Sequence, residues 1–202
     1  MKVAGDHGRR DRHQAPRVRG PARRAFIGAA APLFVLCWAV LGVFSAVIAA
    51  LLGSILHTGN LALTAGGLFV AIAASAAAQA GGLRLAPPTA QAAGLSVLAC
   101  GLMLLLAADG TSSVALVVLA MAGSGTGHGL VFAGNLAEVT VATPAAELGA
   151  IYFVNYAGLG VRVIGVGVLS LWTGLETATT IAATVIAVGC VTLIPFAVRR
   201  RG

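Results

Sequence analysis

Two long apolar stretches, residues 114–141 and 148–172, follow one another across the short polar turn Ala142-Thr143-Pro144-Ala145-Ala146-Glu147. A helix needs roughly 20 residues to cross the hydrocarbon core of a bilayer, and each stretch exceeds that length. Apolar residues surround both helices rather than forming one stripe, the pattern of helices solvated by lipid and by other helices. Four further apolar runs, residues 25–52, 61–78, 92–108 and 178–198, bring the expected number of spans to six. Turns are expected at 57–60, 79–91, 109–113 and 173–177, marked by Gly, Pro, Asn and Asp. With 58% hydrophobic and 9% charged residues, a soluble domain of 202 residues could not cover its apolar surface. The expected fold class is therefore all-α, a polytopic membrane protein of six transmembrane helices.

Residues 1–24 are basic and contain Pro16 and Pro21, so they are expected to form a disordered tail. The run at 25–52 is too long for the apolar region of a signal peptide and reads as the first span. The membrane domain is expected over residues 25–198, followed by a short basic tail at 199–202.

Charge placement orients the chain. Of the 13 basic residues, eight (Lys2, Arg9, Arg10, Arg12, Arg17, Arg19, Arg23, Arg24) precede the first span and three (Arg199, Arg200, Arg201) follow the last. Arg84 lies in the 79–91 loop and Arg162 within a span, while the turns at 57–60, 109–113 and 173–177 carry no Lys or Arg. The positive-inside rule places both termini in the cytoplasm, in a plasma (inner) membrane protein. The same rule accounts for the basic tail, so no nucleic-acid partner is expected. Cys37, Cys100 and Cys190 all fall in apolar runs with no metal or disulfide spacing, and no cofactor is expected.

Ionisable and amide side chains inside a membrane are costly, so they mark partners or wet cavities. His128 and Asn135 are seven residues apart, as are Asn155 and Arg162, and each pair shares a helical face. If the fourth and fifth spans pack antiparallel, Asn135 meets the depth of Asn155, and His128 that of Arg162. Arg162 either holds an anionic group or bonds helix carbonyls and snorkels outward. His128 either relays protons or serves as a neutral interhelical hydrogen bonder. Glu138 lies near the cytoplasmic end of its span, where an interfacial role is favoured. Asn135, Asn155, Tyr152 and Tyr156 either line a solute path or hold helices together. The alternating Gly123, Gly125, Gly127 and Gly129 lack the strand and Lys-Ser/Thr of a phosphate loop, so close helix packing is their expected role. Ser124 beside His128 lacks the other parts of a serine hydrolase site, and no enzyme is expected.

With these features in place, the chain resembles the C-terminal half of a major facilitator superfamily transporter, similar to bacterial efflux permeases. The resemblance rests on Trp38-Ala39-Val40-Leu41-Gly42-Val43-Phe44-Ser45, the alanine-rich second span, and the glycine-rich residues 123–134. It also rests on Thr143-Pro144-Ala145-Ala146-Glu147-Leu148-Gly149-Ala150 leading into Tyr152-Phe153-Val154-Asn155-Tyr156-Ala157-Gly158-Leu159-Gly160. The loop Gly81-Gly82-Leu83-Arg84-Leu85 lacks the aspartate and second basic cluster of the family's first-half signature. What the resemblance implies is efflux of a small-molecule substrate by half of a two-part secondary transporter, with the lipid bilayer as its surroundings. A second copy, or a separate N-terminal half, would close the other wall of the cavity. The alternative is a non-transporting membrane module, as assembly partner, sensor or fragment.

Overall fold

The computed structural model describes residues 61–142 and 145–199, and they form five helices and no strand. These are α1 (Leu61–Gly82), α2 (Pro87–Thr111), α3 (Val114–Ala142), α4 (Ala145–Thr173) and α5 (Leu175–Arg199). They match the second to sixth expected spans. The expected first span at 25–52, the turn at 57–60 and the tail at 1–24 lie outside the described residues, as do residues 200–202.

The connections are shorter than the sequence suggests. Pro87 and Pro88 do not break a helix; they open α2, at its first two positions. Proline suits that place because the first amides of a helix have no intrahelical acceptor to lose. The 79–91 loop therefore shrinks to a turn closed by Arg84 N to Gly81 O at 3.1 Å and Leu85 N to Gly82 O at 3.0 Å. Between α2 and α3 the chain turns on Ser112, which adopts a left-handed conformation with φ 51° and ψ 35°. Between α4 and α5 only Gly174 intervenes, at φ +81°, where a side chain would be strained.

α1, α2 and α3 form the tightest unit. Ala71 meets Gly125 and Ser75 meets Gly129, so α1 and α3 run parallel. Gly101 meets Ser124, Gly94 meets Val131, and Pro87 meets Gly134, so α2 runs against α3. α5 packs on the far side of α2, and α4 packs on α5. The buried core follows this order, with Leu95, Leu98, Leu102 and Leu105 of α2 between Val117 and Met121 of α3 and Ala183, Ile186 and Ala187 of α5.

Outside that core, large apolar side chains face outward. Phe69, Leu119, Ile164 and Val185 are all exposed, and Leu171 and Trp172 are each 84% exposed. Four of the helices are long and apolar enough to cross a membrane, and in α4 the apolar stretch is Val163–Thr173. Hydroxyls on these helices bond their own backbone, as Thr184 does to Thr180 O at 2.7 Å and Thr140 to Leu136 O at 2.8 Å. That is how a hydroxyl satisfies itself where water is excluded. The chain is a multi-pass helical membrane protein.

Candidate functional site

The glycine run on α3 is what lets polar side chains meet deep in the bundle. Gly125 and Gly129 lie against the Ala71 and Ser75 carbonyls of α1, where any Cβ would overlap. On the adjoining face, a Cβ on Gly127 would sit 2.5 Å from Leu98 N and 2.7 Å from Gly94 O. Small residues thus bring three backbones together, the usual way helices associate without a hydrophobic drive between them. Side chains on these faces are then shielded from lipid and from water.

Two polar clusters occupy this seam. In the first, the Ser75 hydroxyl of α1 and His128 Nδ1 of α3 are 2.8 Å apart, and Gln79 Nε2 donates to Ser75 Oγ at 3.3 Å. His128 is 6% exposed, and its ring stacks on Phe132 with centroids 6.1 Å apart. In the second, Gln91 Nε2 of α2 donates to Asn135 Oδ1 at 3.0 Å and to Glu138 Oε2 at 2.8 Å. Gln91 and Asn135 are both 0% exposed, whereas Glu138 is half-buried one turn before the end of α3.

Ser124, His128, Asn135 and Glu138 stand at spacings of four, seven and three, on one side of α3. Val131 is the apolar residue in the middle of that stripe, fully buried against Gly94. Ser124 Oγ is buried and without a hydrogen-bond partner, unlike the self-bonded hydroxyls elsewhere on these helices.

Of the residues expected to form a site, His128, Asn135 and Glu138 therefore share one seam. Their bonding partners come from α1 and α2. The expected facing ladder from the next span does not supply these bonds, because α3 packs on α1 and α2 while α4 packs on α5. Adjacency in sequence, with α3 ending at Ala142 and α4 starting at Ala145, does not dictate which helix lies alongside which. Asn155 and Arg162 belong to α4, and their side chains lie outside the described residues. Tyr152, also on α4, is half-buried.

Ser75 and Gln91 are absent from the expected site, for different reasons. Ser75 sits among alanines and reads as one more small packing residue. Gln91 reads as the end of a loop unless the helix is started at Pro87. Once it is, Gln91, Gly94, Leu98 and Gly101 fall on one face, which is a findable signal. Among the described residues, no group of three or more His, Cys, Asp or Glu is placed to hold a metal ion. No protein-family model matches the chain, and no curated protein or solved structure matches it.

Proposed function

We propose that this protein moves a small organic solute across a membrane, as one half of a secondary transporter of the major facilitator type, in the direction of efflux. The observation that carries the reading is the polar stripe of α3. Ser124, His128, Asn135 and Glu138 lie inside an otherwise apolar bundle, where Ser75 of α1 meets His128 and Gln91 of α2 meets Asn135 and Glu138. An ionisable group costs a few kcal/mol to place in a bilayer, and close packing of the helices alone would be better served by alanine or leucine than by any of these residues. A path for a polar solute gives them a use. In this reading the 79–91 turn and the Glu138 end of α3 face the cytoplasm, and a second copy or a separate half completes the cavity.

One observation favours an assembly role instead. Gly149, Gly160 and Gly167 of α4 share one face and have no neighbour within 4 Å among the described residues, so this helix offers a small-residue face that the described helices leave open. Reconstitution separates the two readings. Proteoliposomes carrying the protein are expected to transport at least one member of a panel of small amines, amides and alcohols, with loss of that flux in Asn135→Leu. Protein that forms stable complexes and moves no solute in the panel would support the assembly role.

A further inference from the structure

Gln91 and Asn135 each have one half of a carboxamide engaged. Gln91 Nε2 donates to Asn135 Oδ1 and to Glu138 Oε2, which uses both of its hydrogens. That arrangement fixes the sense of the Gln91 amide, because turning it round would set its carbonyl against the Glu138 carboxylate. Two groups are left over. Gln91 Oε1 is a buried acceptor and Asn135 Nδ2 a buried donor, neither with a hydrogen-bond partner. Both side chains are 0% exposed.

Buried carboxamide atoms are rarely left unsatisfied, since each has given up water for nothing in return. These two belong to side chains already bonded to one another, which puts the unsatisfied acceptor and the unsatisfied donor in one neighbourhood between α2 and α3. Ser124 Oγ and Thr179 Oγ1 are also buried without partners, but a hydroxyl can rotate to a nearby helix carbonyl. The engaged carboxamides have no such freedom.

We propose that Gln91 and Asn135 form a binding site between α2 and α3 for one small neutral group. This group donates to Gln91 Oε1 and accepts from Asn135 Nδ2. A hydroxyl or carboxamide of a solute has this chemistry, and so does a water molecule. A carboxylate can only accept, so it leaves Gln91 Oε1 unsatisfied and stands beside the like charge of Glu138. A quaternary cation cannot bond to either atom. The solute arm deepens the transport reading and rests on it; the water arm stands without it.

The test uses the full chain in lipid nanodiscs with ¹⁵N-labelled asparagine, which gives side-chain signals from Asn60, Asn135 and Asn155 only. Loss of one signal pair in Asn135→Leu assigns it. Glycerol and urea are the neutral probes, acetate and tetramethylammonium the charged ones. The expected result is magnetisation transfer from water to the Asn135 amide protons without solute. Transfer that persists unchanged with glycerol and urea identifies water as the occupant. A saturable shift with either neutral probe identifies the solute group. Acetate and tetramethylammonium are expected to shift nothing, and Gln91→Met to abolish the response while the Asn60 and Asn155 signals hold.

Absence of both water contact and neutral-probe shift would overturn the proposal, as would an equal shift with acetate. Because binding is read without flux, the two readings fail separately. Binding without transport would leave the site standing and remove the carrier role. Transport without binding would remove the site alone.

Discussion

α3 and α4 are equally long, 29 residues each, adjacent in the chain and rich in glycine, yet their glycines do opposite things. On α3, Gly125, Gly127, Gly129 and Gly134 each press against the backbone of a neighbouring helix. On α4, Gly149, Gly160, Gly165 and Gly167 meet nothing within 4 Å among the described residues. Apolar side chains on α4 follow the same pattern, with Val161 70% and Ile164 67% exposed, while Val131 and Met121 of α3 are buried. Glycine content by itself therefore says nothing about packing. What separates the two helices is whether a second helix lies against the small residues, and only on α3 does that contact carry buried polar partners with it.

The sharpest way to break this comparison is to add side chains to both helices. Gly127→Val and Gly129→Val are expected to be the most damaging changes, costing roughly 3 kcal/mol in thermal or denaturant unfolding in detergent. Gly165→Val on α4 should stay within about 0.5 kcal/mol of the parent in the same assay. A large loss there would mean that α4 is already tightly partnered.

Smaller effects sharpen the account of the polar seam. Gln91→Leu removes the one side-chain bond to Asn135 among the described residues and one to Glu138, and is expected to cost about 1–3 kcal/mol. Ser75→Ala removes the side-chain bond to His128 and the longer one from Gln79, and should cost about 1 kcal/mol, at ~0.6 kcal/mol for such a bond within a bilayer. If the two changes cost the same, the Gln91 cluster would lose its claim to be the more tightly organised of the two.

Much of the fold is legible in the chain. Apolar runs mark the five described helices, and four of these are long and apolar enough to cross a membrane. The element ends are less legible. Pro87-Pro88 carries the same residues whether it breaks one helix or opens the next, and only the missing amide requirement at a helix start decides it. Helix partners are the least legible. A helix that is apolar all round has no stripe to announce its packed face, so adjacency in sequence suggests α3 against α4, while the packing sets α3 against α1 and α2. Within the site, His128, Asn135 and Glu138 are visible because polar residues stand out in a span. Ser75 is hidden by its alanine surroundings, and Gln91 by its place next to a turn.

The central claim is that the buried polar stripe of α3 lies on a solute path, which requires water to reach it in some state of the working protein. The most direct measurement is thiol accessibility at that depth in intact membranes. Asn135→Cys would be made with Cys37 and Cys100 replaced by serine. Cys190, at 0% exposure in the helix core, stays as an internal control for an unreachable thiol. A small water-soluble thiol reagent is expected to modify position 135 well ahead of Cys190. If position 135 reacts no faster than Cys190, water does not reach the stripe, and its polar residues are interior glue between helices rather than the lining of a path.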